Sequence, residues 1–301
     1  MTAITPIPTV QPAKPSFVAE TWRSMPWPAK LSLLFLLLVV AAAILAPFIA
    51  PHRPHFGSLS AKLVPPFWME GGNAKYLLGT DLLGRDILSR LIYGARVSLT
   101  VSLLAVIVAG IIGSTVGIVS GYVGGKTDNV LMAITDIVFS LPLILMAIVL
   151  VALIGASFTN VVVIIVVLLW PYYARQLRGE TLALRDQDYV LLARISGCSA
   201  IHIMLRHILP NLAPTILVLA TLQVSTVILL EASLSFLGVG IPPPTPAWGL
   251  MVADGRDLIV SAWWVSFWPG LLISLMVLAV VNLGDWIRDR IDPRLKDARD
   301  G

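Results

Sequence analysis

The chain has 301 residues, of which 57% are hydrophobic and 13% are charged. This balance excludes an ordinary water-soluble domain, because charged side chains keep a folded surface dissolved, and it is typical of an integral membrane protein. The single cysteine, Cys198, excludes an internal disulfide. A net charge of +4 would suit a nucleic-acid partner, but the distribution of basic residues fits membrane topology better, so we expect membrane lipid and no nucleic acid as a partner.

Six stretches are apolar enough to cross a membrane as helices, which takes about 20 residues each. They lie near residues 31–50, 97–120, 130–155, 159–176, 213–238 and 266–286. The sequence therefore predicts an all-α, polytopic bundle of six transmembrane helices. The first stretch could instead be a cleaved signal peptide, but its apolar run is long and a polar, proline-rich segment precedes it.

These spans divide the chain into segments. They are a cytoplasmic tail (1–30), a first transmembrane helix (31–50), an outer loop with an amphipathic segment (51–96), a core transmembrane domain (97–286) with a cytoplasmic loop (177–212), and a second cytoplasmic tail (287–301).

Lysine and arginine residues predict the orientation of these spans. If the N-terminus is cytoplasmic, fourteen of the 21 basic residues lie on the inner side. They are Lys14, Arg23, Lys30, Lys126, Arg175, Arg178, Arg185, Arg194, Arg206, Arg288, Arg290, Arg294, Lys296 and Arg299. Both termini are therefore expected in the cytoplasm.

One stretch opposes this rule, because residues 84–96 place Arg85, Arg90 and Arg96 on the outer side. Its spacing predicts a short amphipathic helix that leads into the second span. In that arrangement the apolar face can rest against the membrane. The face consists of Ile87, Leu91 and Ile92.

Small residues and prolines within the spans indicate a packed bundle. Gly113, Gly117 and Gly121 recur every four residues on one helix face, where a neighbouring backbone can approach closely. Proline lacks an N–H and clashes with the preceding turn, so it bends a helix locally. Such prolines in or at the ends of spans are Pro142, Pro171, Pro214 and Pro269.

Polar side chains in the spans are candidates for the wall of a translocation pathway. Asp136 and Glu231 fall inside predicted spans, where a carboxylate should face protein or water rather than lipid. Asn160 is a third candidate. Glu231 lies close to the outer end of its span, so it could equally be a helix-terminal residue near the interface.

The sequence offers no convincing chemistry of its own. The segment 121–127 superficially resembles a phosphate-binding loop, but the pattern requires a glycine where Ser120 stands. It instead predicts a tight cytoplasmic turn, with Asp128 or Asn129 capping the third span. His52 and His55 alone make a poor metal site, so we expect no bound metal. No nucleophile and base pair up for catalysis. These residues therefore disfavour an intramembrane protease.

The loop at 189–210 carries the most specific pattern. Asp188 can cap a helix over 189–196, Gly197 can end it in a left-handed turn, and Ser199 can cap a second helix over 200–208. Pro210 and Pro214 are then expected to stop the pattern before the fifth span. In the second helix, one face is predicted to be apolar and the other polar. The apolar face comprises Ile201, Met204, Leu205 and Ile208, and the polar face comprises His202 and Arg206. Amphipathicity alone would equally predict an interfacial helix that rests on lipid headgroups.

This loop resembles the cytoplasmic EAA loop of ABC importer permeases, in which a glycine precedes a Leu-Pro pair by a fixed spacing. Ala193, Gly197, Leu209 and Pro210 match that pattern. The chain departs from it at Leu191, Leu192 and His207.

Further segments resemble the C-type permease subunit of the dipeptide, oligopeptide and nickel importers. They are residues 77–99, 135–155, 186–197 and 231–257. The resemblance implies the MetI-like, type I importer fold in a bacterial inner membrane. It also implies a heterodimer with a homologous second permease subunit, two cytoplasmic ABC ATPases that bind ATP and Mg, and an external substrate-binding protein. The resemblance therefore implies that this chain is a transport subunit, that it is not an enzyme and that it binds no cofactor itself.

In that reading the loop is a coupling helix seated on an ATPase, and the chain forms half of a peptide pathway. The resemblance assigns ATPase coupling to Ala193, Arg194, Gly197, Ser199, His202, Arg206, Leu209 and Pro210. Nickel complexes, glutathione or small oligosaccharides are alternative cargoes. Different classes are a secondary transporter driven by an ion gradient, for which no internal repeat is evident, and a scaffold that only recruits partners.

Overall fold

The computed structural model describes residue 22 and residues 24–291, and this part of the chain is almost entirely helical. The helices are α1 (Trp27–Ile49), α2 (Ile87–Val123), α3 (Gly125–Phe139), α4 (Leu143–Ile154), α5 (Phe158–Arg185), α6 (Asp188–Ile195), α7 (Ala200–Phe236), α8 (Trp248–Gly255) and α9 (Trp264–Ile291). The predicted tails 1–30 and 287–301 lie mostly outside the described residues. So do five of the basic residues predicted on the inner side, namely Lys14, Arg23, Arg294, Lys296 and Arg299.

The all-helical bundle with its membrane spans is confirmed. Helices α1, α2, α5, α7 and α9 are each long and apolar enough to cross a membrane, and α3 with α4 forms a sixth, bent pair. The two halves of this pair meet at 90°. Pro142 stands at the start of α4 in a non-helical conformation, and its missing N–H explains the break. Pro171, Pro214 and Pro269 lie inside α5, α7 and α9 without ending them.

The pair α2 and α5 forms the centre of the bundle, and glycines on α2 face α5. A Cβ at Gly113 or Gly117 would lie 2.2 or 2.6 Å from a backbone carbonyl oxygen of α5, and at Gly121 it would lie 2.7 Å from the side chain of Thr181. No side chain fits at these distances. The glycines therefore let the two backbones approach closely, which is how helices pack in lipid.

The outer end of α2 differs from the prediction. Residues 84–96 do not form a separate amphipathic helix, because Ile87 begins α2 itself and Asp86 caps the first turn with its carboxylate. Ile87 and Leu91 are buried in the protein and do not face the membrane. The reason is Trp248 of α8, which packs over this turn and donates its indole N–H to the carbonyl of Leu91 at 3.0 Å.

The three outer arginines are paired within the chain. Arg85 donates to Asp81 at 2.7 Å, and the fully buried Arg90 pairs with the same carboxylate. Asp254 at the end of α8 lies within 3.3 and 3.4 Å of the two guanidinium groups. Arg96 donates to two backbone carbonyls near the outer end of α1. Contacts within the chain thus account for the positions of all three arginines.

Candidate functional site

A helical hairpin follows α5 and is called here the α6–α7 hairpin. It spans residues 188–208 and consists of α6, the turn at Gly197 and the first residues of α7. Gly197 at its turn has φ +78°, a left-handed conformation that costs other residues about 1–2 kcal/mol. The hydroxyl of Ser199 accepts a hydrogen bond from the backbone N–H of His202 at 3.3 Å. The hairpin thus has the expected helix–turn–helix form. Asp188, however, is the first residue of α6 and not its cap.

The start of α7 differs from the prediction, since neither Pro210 nor Pro214 ends the helix. Residues Met204–Ile208 form a π-helical turn, in which the N–H of Leu209 reaches a carbonyl five residues earlier. This wider turn gives the Pro210 ring room where a tighter one would clash. The helix therefore runs without a break from the hairpin through the membrane.

The extra residue in the π-helical turn changes which side chains face the bundle. Ile208 is buried, together with Ile203. Ile201 and Leu205, predicted on the same face as Ile208, point outward and are 66% and 60% exposed. The predicted apolar face of this helix is therefore wrong, because it assumed a regular α-helical period.

The hairpin consequently presents large apolar side chains outside the bundle. We call these four side chains the hairpin patch: Leu192, Ile195, Ile201 and Leu205. Ile195, next to the turn, is 83% exposed. Exposed apolar side chains grouped in this way mark an interaction surface, for another protein or for lipid headgroups.

The predicted coupling residues divide into two groups. Most are exposed: Arg194, Gly197, Ser199, His202 and Arg206 lie on the hairpin, and Pro210 lies just after it. Leu209 is partly buried. Ala193 is instead buried and belongs to the core of the bundle. A direct contact between Ala193 and a partner is therefore excluded in this conformation, and its small side chain serves the packing of α6 on the bundle.

Charged contacts join α5 to the connection between α2 and α3. Arg178 donates two hydrogen bonds to Asp128, at 2.6 and 2.7 Å, and the hydroxyl of Ser120 donates to the same carboxylate. We call these three residues the elbow network. The sequence predicted that Asp128 or Asn129 would cap the third span, but Gly124 occupies the cap position.

Two further contacts connect this elbow to the hairpin. Arg185, at the end of α5, donates to the carbonyl of Gly121 at 3.2 Å. Arg194 of α6 lies over the ring of Tyr122, 5.5 Å from its centroid. From the sequence, both arginines indicate orientation and Arg194 is also assigned to ATPase coupling, but neither contact is predicted. Their positions in the chain carry no sign of the residues they meet, so these contacts were missed.

The three pathway candidates lie in different surroundings. Glu231 is buried between α2 and α7, where the hydroxyls of Ser235 and Ser98 lie 2.8 and 3.5 Å from its carboxylate. The amide of Asn160 donates to two carbonyls at the end of α4 and so closes the turn before α5. Asp136 is exposed and pairs with Arg175. The structure thus does not bring the three together.

The chain was compared with known proteins. Residues 113–297 match the family described as "Binding-protein-dependent transport system inner membrane component". The di/tripeptide transport system permease protein DppC of Pseudomonas aeruginosa (strain UCBPP-PA14) is 42% identical over 286 residues, which is 94% of each chain. The dipeptide transport system permease protein DppC of Escherichia coli (strain K12) is 47% identical over 268 residues, or 89% of each chain.

A solved structure shows the same fold. A chain from the inward-facing MetNI methionine ABC transporter superimposes with a TM-score of 0.56 at 19% sequence identity, covering 67% of this chain and 96% of that one. At that identity the likeness concerns the fold alone, and it agrees with the MetI-like bundle expected from the sequence. Given the family match and the two relatives, the chain belongs to the inner-membrane permease components of binding-protein-dependent ABC importers.

Proposed function

We propose that this chain forms half of the pathway through which an ABC importer takes up small peptides. One observation carries the proposal: relatives that align along nearly the whole chain are named for dipeptide and di/tripeptide transport. As a permease subunit the chain transports and does not catalyse. ATPase subunits and a substrate-binding protein are its partners by family, and ATP with Mg binds on the ATPases.

The hairpin patch is the docking surface for an ATPase in this proposal. Its apolar side chains would be unfavourable in water, and burying each one in a partner's cleft would contribute about 1.5–3 kcal/mol. The exposed Arg194, His202 and Arg206 surround the patch with polar groups, as at the rim of a protein interface.

Force from the ATPase then enters the bundle by two routes. The first is α7, which continues from the hairpin into the membrane. The second runs through Arg194 and Tyr122 to the elbow network and the bent pair α3–α4. A hairpin docked on a cytoplasmic ATPase places both termini in the cytoplasm, which agrees with the distribution of basic residues.

A homologous second permease subunit completes the pathway. Helices α3 and α4 present apolar side chains on their outer surface, among them Ile137, Leu145 and Leu153. Helices in lipid associate through van der Waals packing of complementary surfaces. The heterodimer would cover this surface.

Reconstitution tests the proposed function. The chain is purified with its second permease and ATPases and placed in vesicles with the cognate binding protein. Uptake of labelled dipeptide that needs both ATP and the binding protein supports the proposal. Uptake driven by an ion gradient alone would indicate a secondary transporter, and absence of uptake would indicate a scaffold. Competition by nickel complexes, glutathione or oligosaccharides tests the alternative cargoes.

A further inference from the structure

Asp136 of α3 and Arg175 of α5 form an ion pair, with the carboxylate and the guanidinium 2.5 Å apart. Asp136 lies 11 residues after the start of α3 at Gly125, and Arg175 lies 10 residues before the end of α5 at Arg185. At about 1.5 Å per residue, both are some 15 Å along their helices from the hairpin end of the bundle. Asp136 thus falls within the predicted span 130–155, and Arg175 lies at the inner end of the predicted span 159–176, so the pair sits near the hairpin-side boundary of the membrane-spanning region.

Both side chains are open to the surroundings, with 55% of Arg175 and 66% of Asp136 exposed. Charged side chains at membrane depth do not face lipid, because removing them from water costs several kcal/mol. We therefore expect the surface that carries this pair to face water or another protein rather than lipid chains. A pathway between two permease halves provides both.

A second ion pair joins the same two helices and behaves differently. Asp128 receives two hydrogen bonds from Arg178 and one from Ser120, and its side chain is only 13% exposed. The hydrogen-bonding capacity of the Asp128 carboxylate is thus largely used within the protein. Asp136, in contrast, receives one hydrogen bond from Arg175 among the described residues. One carboxylate oxygen and most of the five N–H donors of the guanidinium thus stay available.

Aromatic side chains border the exposed pair. The guanidinium of Arg175 lies over Phe139, 4.2 Å from the ring centroid, and Phe139 meets Tyr172 edge to face at 4.8 Å. A carboxylate, a guanidinium and two aromatic rings therefore lie next to one another at this site. This combination matches a short peptide, which has an ammonium at one end, a carboxylate at the other and side chains between.

We propose that Asp136 and Arg175 form a charge gate in the inner half of the pathway, where the two ends of a passing peptide replace the ion pair. The peptide ammonium takes the place of Arg175 at Asp136, and the peptide carboxylate takes the place of Asp136 at Arg175. The Asp136–Arg175 ion pair is thereby replaced by two ion pairs with the peptide, so every charge stays paired while the pathway opens. Without peptide the pair re-forms and ties α3 to α5. This inference rests on the proposed function.

The complete importer in vesicles, with binding protein and ATP, provides the test. In Asp136→Asn and Arg175→Gln we expect the maximal rate of dipeptide uptake to fall about tenfold, the value of one lost charged hydrogen bond. The peptide concentration for half-maximal uptake should stay unchanged, because the binding protein sets it. ATP hydrolysis stimulated by the loaded binding protein should persist. Arg256→Gln removes an exposed pair with Asp257 elsewhere and serves as the control.

A photoreactive phenylalanine analogue at Phe139 or at Tyr172 tests contact with the cargo directly. During turnover we expect labelled dipeptide to crosslink at one or both positions and not at Ile111, an exposed residue of α2. Wild-type uptake in Arg175→Gln overturns the gate. So does uptake without crosslinking at either position, since the pair would then only tie two helices. If the wild-type importer takes up no peptide, the proposed function fails and the gate with it.

Discussion

Arg178 of α5 donates two hydrogen bonds to Asp128 of α3, at 2.6 and 2.7 Å, directly beside the connection between α2 and α3. A planar guanidinium can make this two-point contact and an ammonium cannot. The pair therefore holds the first turn of the bent α3–α4 pair at a fixed angle to α5, the helix that leads into the hairpin.

The first prediction concerns this ion pair. Arg178→Lys keeps the charge but loses one of the two bonds, so we expect uptake to fall about tenfold while ATP hydrolysis continues. Transport and hydrolysis measured on the same vesicles check this. Arg256→Lys, in an exposed pair, is the control. Equal loss of both activities would mean that the pair serves assembly and not coupling.

The second prediction concerns the hairpin patch. Ile195→Asp places a charge where we expect an apolar cleft of the ATPase, and loss of about 1.5–3 kcal/mol of burial should weaken the complex at least tenfold. Co-purification of the ATPase with the tagged permease measures this. Val260→Asp is a matched control, because Val260 is fully exposed on the outer loop after α8. A stable complex with Ile195→Asp would exclude the patch as the docking surface.

The third prediction concerns the turn of the hairpin. A Cβ at Gly197 would meet nothing within 4 Å, so only its φ of +78° restricts substitution. Gly197→Val should cost about 1–2 kcal/mol and disturb the turn, whereas Gly197→Asn tolerates the left-handed conformation. We expect uptake to be lost in the first variant and kept in the second. Similar uptake by both would show that the turn conformation is not required.

The fourth prediction concerns the glycines between α2 and α5. Gly117→Ala puts a Cβ 2.6 Å from a backbone carbonyl oxygen, whereas at Gly179, in the interior of α5, a Cβ meets nothing. We expect the first change to destabilise the bundle by about 1–3 kcal/mol. Gly179→Ala should stabilise it by about 0.5–1 kcal/mol. Thermal unfolding in detergent measures both, and equal melting temperatures would contradict close packing.

The fifth prediction separates two interpretations of Glu231. Among residues 24–291, its carboxylate accepts hydrogen bonds from the hydroxyls of Ser235 and Ser98 alone. Glu231→Gln should therefore keep uptake within about twofold, since an amide oxygen still accepts one such bond. Glu231→Leu leaves both hydroxyls unpaired and should lower stability by about 1–3 kcal/mol. A large loss of uptake by the glutamine variant at an unchanged melting temperature would indicate that Glu231 acts in the translocation pathway.

Composition and spacing predicted much of this fold because the membrane constrains it strongly. A run of about 20 apolar residues has few alternatives to a spanning helix, and the break in the third span follows from Pro142. The turn at Gly197 was predictable for a similar reason, since few residues adopt its conformation.

What the sequence did not predict depends on contacts between distant residues. Ile87 and Leu91 look membrane-facing until Trp248, more than 150 residues later, covers them. Pro210 reads as a helix stop unless a π-helical turn makes room for its ring. Asp128 reads as a helix cap until Arg178 is brought to it by the packing of α2 on α5. Local patterns carry no record of these partners.

The unbroken course of α7 gives it a mechanical property. Its 37 residues span about 55 Å at the rise of an α-helix, longer than the membrane is thick. A tilt of only about 5° at the hairpin would move the far end by roughly 5 Å over that length. Since that end packs against α8, we expect a small displacement of the hairpin on one side of the membrane to shift α8 on the other side.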